Sequence, residues 1–140
     1  MTLWIIDTNH LSLLERKDKY VLKNFNNRNP NCLAITVVTF EEQIRGRLSK
    51  IRQANSDEKV IAAYSKLQAT AEFLKQFNLI GFDGDACGCF NDFRRQKIRI
   101  GTQDLRIAST AFSWNAVVVT RNSRDFSKVP GLVLEDWTVV

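Results

Sequence analysis

The side chains able to do chemistry here are carboxylates. Asp7 closes an apolar run, Leu3-Trp4-Ile5-Ile6, and Thr8 and Asn9 follow it. Asp125 stands a few residues after a second apolar run, Ala116 to Thr120, and beside Phe126. Glu41 and Glu42 follow a third, Leu33 to Val38. Asp104 lies 3, 4, 7 and 8 positions before Ile107, Ala108, Ala111 and Phe112, which places it on the apolar face of a helix. A carboxylate on a buried face must be paired, hydrogen-bonded or bound to a metal. Each acid also has a plain reading: Asp7 a helix cap, Asp104 the partner of an arginine, Asp125 an exposed loop acid. Taken together, four carboxylates with a single histidine, His10, suit hard, oxygen-seeking cations, Mg²⁺ or Mn²⁺, rather than zinc. Without a cation such a cluster repels itself and raises its own pKa values.

The elements that must position these acids alternate between strand and helix. Leu3–Ile6 reads as a strand buried on both faces. Short helices follow around Leu11–Leu14 and Tyr20–Phe25, then a loop, Asn26–Asn31. Leu33–Val38 reads as a second strand. Thr39-Phe40-Glu41-Glu42 has the form of a capping box that opens a helix. After a break at Asn55-Ser56-Asp57, Val60 to Leu74 carries a long amphipathic helix. Phe77–Phe82 is a third strand, Asp85–Gln96 a helix begun by Asp83, and Lys97–Gly101 a basic connector. Thr102 caps a helix over Gln103–Trp114. Ala116–Thr120 is a fourth strand, Arg121–Phe126 a loop, and Leu132–Leu134 a last short strand. This order predicts an α/β fold, one domain over residues 1–140, with a short, mostly parallel twisted sheet of four to five strands covered on both faces. Ligands of such sheets bind at the carboxyl ends of the strands, where Asp7, Asp125 and one of Glu41 and Glu42 fall. Helical phase favours Glu41 as the inward one. Capping-box logic turns Glu42 towards its own helix start. The residues alone do not choose.

Length and composition set the frame. A chain of 140 residues buries a real core, and its 44% hydrophobic and 25% charged residues are ordinary for a globular protein. The net charge of +5 mildly favours a polyanionic partner. Cys32, Cys87 and Cys89 are odd in number, and Cys87-Gly88-Cys89 is too tight for a zinc pair, so they read as free thiols. One histidine argues against a multi-histidine metal site, and His10 reads as a packed side chain. The first residues read as a strand rather than a signal peptide, and no apolar run approaches a membrane span. The expected compartment is the cytoplasm.

Several segments in this order and spacing carry a resemblance: Ile6-Asp7-Thr8-Asn9 with Leu11-Ser12, Val38-Thr39-Phe40-Glu41-Glu42-Gln43-Ile44-Arg45-Gly46, Ile100-Gly101-Thr102-Gln103-Asp104 with Ile107-Ala108, and Val119-Thr120-Arg121-Asn122 with Asp125-Phe126 and Glu135-Asp136-Trp137. Along its whole length the chain resembles PIN-domain ribonucleases, specifically toxins of the VapC type. That resemblance implies a PIN-like three-layer α/β/α sandwich and a Mg²⁺- or Mn²⁺-dependent endoribonuclease acting on structured RNA such as tRNA or rRNA. It also implies a homodimer and a small cognate antitoxin. The family's glutamate stands four residues before a glycine, here Gly46, so its role falls on Glu42, beside Asp7, Asp104 and Asp125 as metal ligands. Asn122 can share the fourth acidic role. His10 and the Glu41-Glu42-Gln43 run depart from the usual pattern.

Thr8 and Asn9 are candidates to orient the Asp7 carboxylate or its water. Basic residues flank each acid, among them Arg45, Arg95, Arg99 and Arg121, and Arg47 and Lys50 further along, as candidate phosphate contacts. Two other classes compete. A non-catalytic PIN-like RNA-binding or scaffold domain would bind metal without cleavage. A receiver-like phosphoacceptor domain would need a nucleophilic aspartate after the middle strand, for which Asp83 is the candidate.

Overall fold

Both faces of the sheet are apolar, and this fixes the layers. Ile5, Ala34 and Val118 point to one side, Ile6, Ile35 and Val119 to the other, and none of the six is more than 1% exposed. Strands buried this way need helices above and below. The computed structural model describes residues 1–139. Its strands are β1 (Trp4–Ile6), β2 (Leu33–Thr36), β3 (Asn78–Ile80), β4 (Val117–Val119) and β5 (Val133–Glu135), all parallel, in the order β3-β2-β1-β4-β5. The helices are α1 (Thr8–Glu15), α2 (Lys19–Asn26), α3 (Val37–Gln53), α4 (Asp57–Leu74), α5 (Gly84–Arg95), α6 (Thr102–Ser113) and the short α7 (Ser123–Phe126).

One layer packs Leu11 and Leu14 of α1, Val21 of α2 and Leu74 of α4 against Ile6, Ile35 and Val119. The other sets Ala111 of α6 against Ile5, Ala34 and Val118. Beside it Phe90 and Phe93 of α5 meet Leu105, Ile107 and Ala108 of α6, and Phe126 closes that cluster. The chain runs outwards from β1 to β2 and β3, then returns to start β4 on the other side of β1. The carboxyl ends of β1 and β4 therefore flank the topological switch point, where open α/β sheets hold their ligands.

Two expected boundaries move. The second strand stops at Thr36, and Val37 and Val38 already belong to α3. Thr36, not Thr39, is the N-cap: its Oγ1 accepts from the Thr39 amide at 3.0 Å. The β-branched pair Val37-Val38 suggests strand, but a hydroxyl at the strand end starts the helix three residues early. Likewise Gly101 is the N-cap of α6, and Thr102 is its first residue. Asp83 does cap α5, accepting from the Ala86 amide at 3.0 Å. It follows the edge strand β3 rather than the central β1, which removes Asp83 as the nucleophile that the receiver-like reading needs. The expected loop after β4 contains the single turn α7.

Candidate active site

Asp7 follows β1 in the position that caps α1, yet its side chain bonds none of that helix's amides. It is 5% exposed, and its Oδ2 accepts instead from Thr120 Oγ1 at 2.8 Å. The parallel register explains the meeting. Ile6 lies beside Val119, so the next residue of each strand stands together at the sheet edge. Thr120 Oγ1 also accepts from the Asn122 amide at 2.9 Å, which turns the chain sharply after β4. Sequence reading passes over Thr120, counting it as the strand's last residue. The signal is present in the pair Thr120 and Asn122, an Asx/ST-type turn pattern immediately after a buried strand.

Asn122 Nδ2 donates to Asp125 Oδ2 at 3.2 Å and reaches Asp104 Oδ2 at 3.4 Å. It holds the acid of α7 beside the acid of α6. Phe126, fully buried, anchors this turn in the core, a side chain whose burial is worth about 1.5–3 kcal/mol. Asp125 is 28% exposed and lies 3.9 Å from Arg124 and 3.7 Å from Lys128.

Glu42 and Asp104 complete the constellation. Burial pushes the Glu42 carboxyl up, and the charges of Asp104 and Asp7 push it further. Burial also raises Asp104, and Asp7 and Asp125 add to it. The four acids therefore feel one another across one edge of the sheet. Among the described residues no salt bridge neutralises Asp7, Glu42 or Asp104. Nor, among the described residues, are three of His, Cys, Asp or Glu gathered tightly enough to hold a metal ion as they stand. The donor set itself fits a hard divalent cation: all carboxylate oxygens, partly desolvated, with surplus negative charge.

The shifted start of α3 distinguishes the two glutamates. Glu41 lies outside, where Arg45 Nη2 donates to it at 2.5 Å and Gln103 Nε2 at 3.2 Å. The Arg45 and Gln103 bonds hold its carboxyl below the usual range. Glu42 is half-buried and feels the charges of Asp104 and Asp7. Helical phase misjudges this because the apolar stripe of α3 packs on the α1 layer, while the acids lie at the sheet edge.

Other expectations fare unevenly. Asn9 makes no hydrogen bond to Asp7 among the described residues: its Oδ1 accepts from the Arg121 amide at 3.3 Å and pairs with His10 Nδ1 at 2.9 Å. No side-chain bond from Thr8 to Asp7 exists among the described residues. His10 is fully buried, and its Nε2 accepts from the Trp137 amide at 3.0 Å. Of the phosphate candidates, Arg45 is tied to Glu41 and Arg95 to Asp92, both on the surface. Arg99 and Arg121 form no ion pair among the described residues. Cys32, Cys87 and Cys89 are free. Among the described residues no helix is long and apolar enough to cross a membrane.

Comparison with known proteins adds a second line. No family model matches the chain. It is 29% identical over 142 residues to the tRNA(fMet)-specific endonuclease VapC of Salmonella typhimurium, covering 98% of this chain and 99% of that one. It is 31% identical over 111 residues to ribonuclease VapC2 of Rickettsia felis, covering 76% and 75%. Its fold matches a chain of the DNA-bound VapBC crystal structure from Salmonella typhimurium with a TM-score of 0.80 at 28% identity, over 98% and 99% of the two chains.

Proposed function

This chain belongs to the VapC family of ribonucleases, and from that premise we propose that it is a Mg²⁺- or Mn²⁺-dependent endoribonuclease, the toxin of a toxin–antitoxin pair. Its substrate is structured RNA such as tRNA or rRNA, hydrolysed at a phosphodiester bond. It works in the cytoplasm as a homodimer, held in check by a small cognate antitoxin. The observation that carries this reading is the convergence of Glu42 and Asp104, both with raised pKa, on Asp7 and Asp125.

Asp7, Glu42 and Asp104 would hold the cation, with Asp125 beside them. Bound there, it supplies a water of lowered pKa and stabilises charge developing on the phosphate. The chain's own contribution is placement. Thr120 fixes one oxygen of Asp7. Asn122 holds Asp104 and Asp125 together against their repulsion. Glu41, through Gln103, ties α3 to α6 at the surface. Arg99 and Arg121 remain available to bring the phosphate chain in.

The test is cleavage of total cellular RNA by the purified protein with Mg²⁺, with Mn²⁺ and with EDTA, alongside Asp104→Asn. Discrete fragments should appear only with metal, and Asp104→Asn should lower the rate by a factor of about 100 or more, in the range of losing a principal charge-stabilising group. Its melting temperature should not fall, since the substitution relieves a crowded charge. Wild-type turnover in Asp104→Asn would sink the assignment.

A further inference from the structure

A second concave region of the molecule lies away from the acids. The α3–α4 hairpin surrounds a space of about 390 Å³ lined by Arg47, Lys50, Gln53, Lys59 and Lys66, over a floor of Ala54, Ala62 and Ala63. The sequence builds it by helical repeat. Arg47, Lys50 and Gln53 recur at the spacing of one face of α3, and Lys59, Ala62, Ala63 and Lys66 at that of one face of α4. The lining holds four cations and no carboxylate. None of the four forms a salt bridge among the described residues.

Arg47 is held in place. Its Nε donates to Thr70 Oγ1 at 2.8 Å, and Thr70 is 1% exposed. That bond fixes the guanidinium and leaves its two terminal nitrogens for a ligand. A fixed guanidinium with flanking ammonium groups is the arrangement that takes phosphate oxygens. Lys59 Nζ is lightly engaged, donating to Asn55 Oδ1 at 3.2 Å.

We infer that this basic crook is a second phosphate-binding site, which grips the backbone of the RNA substrate beyond the scissile bond. The inference rests on the nuclease reading above and adds the anchor that its substrate class needs. Its place in the fold argues for RNA. The helix that presents Glu42 also presents Lys50, about 12 Å further along its axis at about 1.5 Å per residue. A strand entering the acid edge and following α3 reaches the crook within a few nucleotides. The crook then selects for long, folded RNA, and the acid edge does the cutting.

The test is binding of labelled bulk tRNA by the Asp104→Asn protein without divalent metal, so that nothing is cut. The crook triple Lys50→Glu, Lys59→Glu and Lys66→Glu should weaken binding at least about tenfold. It should also flatten the salt dependence by about two in log–log slope, since each phosphate no longer neutralised on a single strand removes roughly 0.7. A control triple of equal charge elsewhere on the surface, Lys19→Glu, Lys23→Glu and Lys75→Glu, should weaken it less than about threefold. Thr70→Val keeps every charge but frees Arg47. It should weaken binding about two- to fivefold with the slope unchanged, in a protein whose melting curve shows it folded. Equal losses in the two triples would overturn the inference, as would tRNA binding untouched by the crook triple. Loss of antitoxin capture with tRNA binding intact would overturn it in favour of a protein-facing surface. Failure of wild-type protein to cleave any RNA would defeat the nuclease reading, while these binding results would still stand or fall by themselves.

Discussion

The two ends of α3 are opposites. Near its start, Glu42 enters a partly buried set of acids whose other members come from the turn after β1, from α6 and from α7. Near its end, Arg47 and Lys50 face the exposed cations of α4. The acid edge gathers residues far apart in sequence, and there burial first, then like charges, raise the pKa values of Glu42 and Asp104. The crook gathers residues close in sequence, and its charges stay in water. The first is sensitive to single atoms and to protons, the second to salt and to total charge. A partly desolvated charge has its neighbours as its environment, whereas an exposed one is screened within about 10 Å at ordinary ionic strength.

The glutamate pair sharpens the contrast most. Glu42→Gln should lower cleavage about 100-fold or more, like Asp104→Asn, whereas Glu41→Gln should change it by less than about threefold, since exposed ion pairs contribute little. Steady-state cleavage of one defined RNA measures both. Comparable losses would show that the exposed glutamate belongs to the site after all.

Thr120→Val comes next. It removes the hydroxyl that donates to Asp7 and leaves a buried carboxylate oxygen without that partner. The expected loss is about 1–3 kcal/mol of stability by chemical denaturation, with cleavage about tenfold slower. Thr120→Ser, which keeps the hydroxyl, should restore most of both. A Thr120→Ser protein as impaired as Thr120→Val would mean that packing, not the hydrogen bond, is what matters.

The smallest expected effect concerns His10. Burial lowers its pKa below 6.5, more than the nearby charges of Asp136 and Asp7 raise it, while Arg121 lowers it further. The unfolded chain therefore takes up this proton first. The contribution of neutral His10 to stability is complete above about pH 6.5 and is lost as pH falls from there towards its folded value. Denaturation midpoints measured from pH 7.5 down to pH 5.5 should fall, and less steeply in His10→Gln. Parallel curves for the two proteins would remove His10 as the cause. Binding of tRNA at the crook, by contrast, should hardly change over that range, because lysine and arginine stay charged throughout.

Much of the fold is legible in the sequence because burial on both faces leaves a plain mark. The three central strands centre on the continuous apolar runs Trp4–Ile6, Leu33–Ile35 and Val117–Val119. The helix boundaries are less legible where two signals compete. Val37 and Val38 carry a strand's composition, yet they follow a threonine that caps. Asp7, Asp104 and Asp125 are legible as candidates because each stands where an apolar pattern ends or where a polar residue interrupts one. Asn122 is legible only as a possible sharer of the fourth acid's role.

The sequence by itself determined a mostly parallel α/β architecture and marked Asp7, Asp104 and Asp125 as candidates. Local periodicity and residue chemistry suffice for those. Tertiary structure alone decided which glutamate turns inwards, because that depends on where α3 starts and which layer its stripe meets. It decided that Thr120 bonds Asp7, because strand register, not sequence distance, sets who stands beside whom at a sheet edge. It also decided that Arg47, Lys50, Lys59 and Lys66 face one hollow, since two helices share a face only once their hairpin has closed.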